Sequence, residues 1–242
     1  MATRTLLTGG SGRLGRELKE RLPDLLCPTS KELDITCPDS ISAALERLQP
    51  QLIVHAAAYT DVAGAESDRQ LCWQVNVAGT RNLVRAAWER KLAFIHISTD
   101  YVFFGDAGMY REGDPPGPTR NYYALSKLTA EEVVRVLEHH LVIRTSFRPR
   151  AWPYPVAFDD LFTSQDYVDV IAPDIALAIE RLNEIPFSTL HIATERKSVY
   201  DLARKRKADV RRGSKVGAGV SLPDDISLDI TRWRELKAGW SQ

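Results

Sequence analysis

Thr8-Gly9-Gly10-Ser11-Gly12-Arg13-Leu14-Gly15 is the stretch on which the fold of this 242-residue chain turns. A run that reads as a strand, Thr3–Thr8, leads into it, and apolar residues at helical spacing leave it from Leu14 to Leu22. Glycines so spaced allow a tight turn, close approach of backbone to a pyrophosphate, and close packing of helix on sheet. The helix that follows offers unpaired N–H groups and a positive dipole end to an anion. Gly9, Ser11, Gly12, Arg13, Leu14 and Gly15 are therefore candidate contacts for a dinucleotide.

Outward from this turn, short apolar runs alternate with longer helical patterns, which predicts βαβ units and a parallel sheet. Expected strands are Thr3–Thr8, Leu25–Cys27, Leu52–Ala57, Ala93–Ser98 and Leu141–Arg144. Expected helices run from Leu14 to Leu22, Pro38 to Leu48, Arg69 to Arg90 and Tyr122 to His139. The fold class is α/β: a Rossmann-like, doubly wound parallel sheet with a small C-terminal α/β lobe. Gly105–Pro118, rich in glycine and proline, reads as a surface loop placed where a lid over a substrate would sit. The proline-rich stretch Phe147–Pro155 suits neither a helix nor an interior strand. It divides residues 1–146, the dinucleotide-binding part, from 147–242, a shortened substrate lobe that partly returns to the core. Within the lobe, a helix from Pro173 to Leu182, a strand Thr189–Ala193 and helices Val199–Lys207 and Ile230–Ala238 are expected.

Hydrophobic residues, 44% of the chain, suffice for one sizeable core. Thirty-two basic residues balance 32 acidic ones, so nothing in the charge favours a nucleic acid or an anionic membrane as partner. No apolar run approaches the roughly 20 residues that span a bilayer, and a cytoplasmic protein is expected. Cys27, Cys37 and Cys72 are odd in number and lack C-x-x-C spacing, which points to free thiols and no metal. The basic run Arg204-Lys205-Arg206-Lys207 with Arg211-Arg212 reads as a solvated helix end, with binding of a diphosphate as the alternative.

Two sites carry chemistry. Tyr123 and Lys127 stand four apart and so share a helix face. A cation beside the phenol would lower its pKa and let it hand a proton to a carbonyl oxygen, while the lysine also reaches a nicotinamide ribose. Thr99, Asp100 and Tyr101 follow the fourth expected strand, where ligands of open α/β sheets collect, and the Thr99 hydroxyl suits a substrate carbonyl. The second strand ends in Cys27-Pro28-Thr29-Ser30, without a carboxylate to grip a ribose 2′-hydroxyl. Arg13 and Lys31 offer cations to a 2′-phosphate instead, which favours NADP over NAD.

Taken in order, these residues resemble the extended short-chain dehydrogenase/reductases, and within them the reductases of nucleotide-linked 4-keto sugars. Gly9–Gly15, Leu33-Asp34-Ile35-Thr36, Ala56-Ala57-Ala58-Tyr59-Thr60, Asn76 in Asn76-Val77-Ala78-Gly79-Thr80, Ile97–Phe103, Tyr123 with Lys127, and Arg144-Thr145-Ser146 carry the resemblance. It implies Thr99, Tyr123 and Lys127 as catalytic trio. It also implies coenzyme contacts from Gly12, Arg13, Leu14, Asp34, Ile35, Ala57, Ala58 and Tyr59, with Ala56, Asn76, Tyr123 and Lys127 joining them. Asp34 is equally readable as a helix cap, Ala56–Ala58 as core, and Asn76 as a purely structural residue. Phe147 stands where the family places a tryptophan near the sugar, and Leu222-Pro223 where an arginine-proline pair belongs. The implied partner is a small nucleotide sugar, in a chain that is itself a candidate homodimer. Two other readings stay open: a non-catalytic NAD(P)-binding regulatory or scaffold subunit, motivated by the shortened lobe, and an epimerase or dehydratase. The latter is disfavoured because Asp100-Tyr101 lacks the acidic pair that such chemistry adds after the threonine.

Overall fold

The computed structural model describes residues 3–216, 218 and 222–240. Its centre is a five-stranded parallel sheet, β1 (Thr5–Thr8), β2 (Leu52–His55), β3 (Ala93–Thr99), β4 (His140–Thr145) and β9 (Thr189–His191), in that spatial order. These strands are apolar almost throughout because both faces of the sheet are covered. Side chains alternate between two cores. Leu7, Leu52, Val54, Ile95 and Ile143 pack with helices α1 (Arg13–Arg21), α7 (Val168–Glu180) and α9 (Thr231–Trp240). Leu6, Ile53, Phe94 and Val142 pack with α2 (Pro38–Leu48), α5 (Thr80–Arg90) and α6 (Tyr122–Val134). Among the described residues no helix is long and apolar enough to cross a membrane.

The expected strand at Leu25–Cys27 shrinks to one bridge between Leu26 and Leu6, with Leu7 N–H on Leu26 O at 2.8 Å and Leu26 N–H on Thr5 O at 2.9 Å. Pro28, without an N–H, ends the ladder there. This segment and β2 lie on opposite sides of β1, so the glycine turn opens at the point where the winding of the sheet reverses. The expected helix Arg69–Arg90 is three pieces: α4 (Arg69–Trp73), which follows a short α3 (Gly64–Ser67), then a π turn Gln74–Gly79, then α5. The wide turn carries the buried Asn76. The fourth helix stops at Val134, not His139, because the chain must turn back within a few residues to enter β4.

Beyond β4 the chain builds small pairs of strands: β5 (Phe147–Arg148) with β8 (Asp166–Tyr167), β6 (Val156–Phe158) with β11 (Arg211–Gly213), and β7 (Phe162–Thr163) with β10 (Lys197–Ser198). Together with α8 (Val199–Arg204) they enclose a separate small core around Trp152, Tyr167, Leu202 and Val210. Two segments of this later part, α7 and β9, nevertheless belong to the main sheet and its core. Helix α7 begins at Val168, five residues before the expected Pro173, which sits inside it. Proline leaves the carbonyl four residues back without its helical partner, and Asp169 O accepts from Arg21 Nη2 at 3.4 Å instead. The last helix and the strand before it are shorter or shifted by a residue or two from their expected ends.

The Gly105–Pro118 loop, placed by its sequence where a lid would sit, is fastened away from the cleft. Tyr110 stacks on Phe103 at 4.4 Å, and its hydroxyl accepts from the N–H groups of Gly105, Asp106 and Ala107. Met109 and Tyr110 bond onward to Ser227 and Asp229, so the loop is stitched to the C-terminal segment and none of it lines the main cleft.

Candidate active site

A cleft of about 1060 Å³ runs along the carboxyl ends of the strands, from Lys31 and Asp34 at one end to Arg148 and Gln165 at the other. At its centre lies the glycine turn. Gly9 adopts φ +76°, and a Cβ there would meet Ala57 N at 2.6 Å. A Cβ on Gly15 would meet Gly9 O at 2.3 Å, so backbone crowds both positions. Gly12 is the N-cap of α1, whose first turn contains no acidic residue and no side-chain cap. Its free N–H groups therefore face the cleft with the positive end of the helix. Arg13 and Lys31 are exposed beside it, while the carboxylate of Glu32 is turned back to accept from Thr29 N and Oγ1 at 2.8 and 2.9 Å. An uncapped, anion-ready helix end with cations nearby fits a dinucleotide phosphate, and a second phosphate on its ribose.

Gly9, Ser11, Gly12, Arg13, Leu14, Gly15, Asp34, Ile35 and Ala56–Ala58 all border the cleft, as do Thr99, Asp100, Tyr101, Tyr123, Lys127 and Phe147. Tyr59 and Asn76 do not. Asn76 is buried, accepts from Tyr59 N at 2.7 Å, and donates to Tyr59 O at 3.1 Å and Ser126 Oγ at 2.9 Å. It thus ties the Ala58-Tyr59 wall to α6 and acts by holding the cleft's shape. Asp34 accepts from Thr36 N and Oγ1, both at 2.8 Å, and steadies the turn into α2. It does not cap that helix, whose N-cap is Cys37. Phe147 packs against the α1–α7 core, so its ring serves the core as well as the cleft wall.

The catalytic candidates meet on one wall. Thr99 closes β3 and its Oγ1 donates to Asp100 Oδ1 at 3.1 Å. Tyr123 and Lys127 both face the cleft from α6, whose Asn121 cap accepts from Ala124 N at 2.8 Å. The expected lowering of the Tyr123 pKa by Lys127 is not what this arrangement gives. Burial holds the phenol well above its ordinary range, reinforced by Asp100 and Tyr101 and only partly offset by a hydrogen bond with Thr99. Lys127 Nζ instead donates to Ile97 O at 2.8 Å and lies 3.2 Å from His96 Nε2. Burial brings that ammonium down to about 8, with the Glu131 charge working against the shift. Burial likewise pushes Asp100 up to about 7.

Sequence patterns missed what lies behind this wall. Glu131, one turn beyond Lys127, forms a fully buried ion pair with Arg144 (2.9 Å between Nη2 and Oε2) and accepts from Ser98 Oγ at 2.5 Å. The i,i+4 spacing of Lys127 and Glu131 was the available signal. His55 is locked between Thr8 Oγ1 at 2.8 Å and Thr80 Oγ1 at 2.9 Å, and burial lowers its pKa to about 3. The basic run at Arg204–Lys207 is engaged within the protein: Lys205 with Asp166 at 2.9 Å and Arg206 with Asp169 at 2.8 Å. Among the described residues no cluster of three or more histidine, cysteine or acidic side chains is placed to hold a metal.

Known proteins share this architecture. Residues 3–148 match the family model described as RmlD substrate binding domain. The dTDP-4-dehydrorhamnose reductase of Aggregatibacter actinomycetemcomitans is 38% identical over 151 residues, 60% of this chain and 51% of that protein. The enzyme of the same name from Mycobacterium tuberculosis is 37% identical over 180 residues, 69% of this chain and 54% of its own length. By sequence, then, the chain spans about half the length of the curated relatives it matches. In three dimensions, dTDP-4-dehydrorhamnose reductase from Bacillus anthracis, solved in complex with NADP, superposes with a TM-score of 0.84 at 29% identity. That match covers 97% of this chain and 92% of the other.

Proposed function

The chain belongs to the family described as RmlD substrate binding domain, and from that membership and its cleft we propose an NADP(H)-dependent reductase of a nucleotide-linked 4-keto sugar. The observation that carries the reading is the convergence of Thr99, Tyr123 and Lys127 on one wall of a cleft that also contains an uncapped glycine turn. The NADP complex of the Bacillus anthracis relative supports the choice of coenzyme.

Bound there, the reduced nicotinamide supplies a hydride to the keto carbon. The chain's own residues do the rest. Gly12 and the first N–H groups of α1 hold the pyrophosphate, and Arg13 and Lys31 neutralise a 2′-phosphate. Tyr123, kept protonated by burial, transfers its proton to the carbonyl oxygen as the carbon is reduced. Thr99 directs its hydroxyl at that same oxygen and sets the angle of approach. Lys127 stays an ammonium below about pH 8 and, anchored on Ile97 O, offers the coenzyme end of the cleft a hydrogen-bond donor.

The test is loss of NADPH absorbance with a panel of dTDP-linked 4-keto-6-deoxy sugars. Tyr123→Phe should cut turnover by about 10²- to 10⁴-fold while coenzyme affinity stays at the wild-type level. Turnover retained in that variant, or a wild type that does not consume NADPH with any sugar of the panel, removes the assignment. The scaffold reading, raised from the sequence by the second lobe, is favoured in the structure by one contact, the Lys127 ammonium on Ile97 O. It requires NADPH to bind tightly and never be oxidised.

A further inference from the structure

Strand β5 is two residues long, and adjacent strand residues point to opposite faces. Phe147 takes the core side, against α1 and α7. Arg148 takes the other and lines the end of the cleft together with Gln165. Its Nε donates to Gln165 Oε1 at 2.5 Å, and its guanidinium carbon lies 5.4 Å from the ring centroid of the buried Trp152. Those contacts fix the plane of the guanidinium and use only Nε. Among the described residues, Nη1 and Nη2 have neither a hydrogen-bond nor an ion-pair partner. Asp100 and Tyr101 are near enough to feel the positive charge, which places Arg148 beside the reacting end of the cleft.

The other cations along the cleft are already accounted for. Arg13, Lys19 and Lys31 border the phosphate turn or the segment facing it, and Lys127 is buried on Ile97 O. Arg148 is left for the second ligand. A guanidinium pre-oriented through Nε and a ring face, with its terminal fork open, is the arrangement that reads an oxyanion through two parallel hydrogen bonds. A neutral sugar offers that fork only hydroxyl groups, whereas an oxyanion accepts from both Nη atoms with opposite charge.

We propose that Arg148, held by Gln165 and Trp152, is a specificity residue that binds an oxyanion carried by the keto substrate. The oxyanion is either the diphosphate that links nucleotide to sugar or a carboxylate on the sugar itself. This rests on the reductase reading above, and it adds a group that captures the substrate.

Calorimetry on the full chain, with and without NADP⁺, separates the possibilities using TDP, inorganic pyrophosphate, glucuronate and the neutral thymidine as probes. A diphosphate source gives binding of TDP and pyrophosphate, and a carboxylate source gives binding of glucuronate. In either case Arg148→Met should weaken the bound oxyanion by about tenfold or more, with thymidine and NADP⁺ unchanged. Arg148→Lys keeps the charge, loses the fork and should recover only part of the affinity, which guards against a misfolded methionine variant. The proposal is overturned if no oxyanion binds the wild type in either coenzyme state, or if both variants keep wild-type oxyanion affinity. It is also overturned if oxyanion and NADP⁺ affinities fall together, since Arg148 would then belong to the coenzyme's own site. Failure of the reductase reading has a different signature: oxyanion binding that depends on Arg148, with no NADPH oxidised.

Discussion

The part of the molecule that ends at Arg148 and the lobe that follows bury their charged groups to different depths: Glu131 and Arg144 are both at most 1% exposed, whereas the buried Asp166 of the lobe also pairs with the half-exposed Lys205. In the first, three buried polar side chains are held by partners remote in sequence: Glu131 by Arg144 and Ser98, His55 by Thr8 and Thr80, Asn76 by Tyr59 and Ser126. In the lobe, strands of two or three residues enclose a core of a few side chains, and many of the ion pairs lie toward the surface, such as Arg206 with Asp169 and Arg212 with Asp159. A buried charge tolerates little change in its surroundings, because losing one partner strands the other in a low dielectric. A half-exposed pair is replaceable at small cost. The family match covers residues 3–148 and stops where this change of construction begins.

The strongest way to break the comparison is to remove the buried pair. Glu131→Gln leaves Arg144, 1% exposed, without a counter-charge, and should cost about 3–5 kcal/mol in denaturant unfolding. A loss no larger than that of a surface pair would show that the two halves are secured alike. The same variant should lower the Lys127 pKa further, since Glu131 is what holds it up.

Lys127 gives a smaller effect with a definite sign. Its folded pKa of about 8 lies below the 10.5 of the unfolded chain, so burial disfavours the ammonium in the native state. Below about pH 8 both states carry the proton and this penalty is fully present. Between about 8 and 10.5 the folded protein has released a proton that the unfolded chain still holds, so stability rises with pH. Urea midpoints measured across that window should show a rise of at most about 1.4 kcal/mol per pH unit that disappears in Lys127→Met. A slope unchanged in that variant would assign the titration elsewhere.

Smallest is the effect expected in the lobe. Arg206→Ala removes a pair with Asp169 and a contact 4.7 Å from the Tyr167 ring, and should shift stability by about 1 kcal/mol or less. Binding of inorganic pyrophosphate, followed by calorimetry, should not change. A fall in that affinity would restore the basic run as a ligand site and blur the contrast between the two halves.

What the sequence legibly contained was local. Glycine spacing with a strand before and a helix after located the phosphate turn; alternating apolar patterns located β1–β4; and the four-residue step from Tyr123 to Lys127 put both on one face of α6. The weaker expectations failed where a neighbour overrode a local preference. Pro173 became internal to α7 because Arg21 takes the carbonyl it frees, and the Leu25–Cys27 strand lost its length to Pro28 at the sheet's edge.

Periodicity and motif spacing, which depend only on bond geometry over a few residues, were thus enough for the α/β fold class and for placing the glycine turn, Thr99, Tyr123 and Lys127 among candidates that border the cleft. Tertiary structure decided what those residues do to one another: that the Lys127 ammonium rests on Ile97 O, that burial outweighs charge at Tyr123, that Glu131 meets Arg144, and that Arg148 borders the cleft beside Gln165. Desolvation and long-range pairing are properties of the surrounding packing, and packing brings together residues, such as Thr8 and His55, that no local pattern connects.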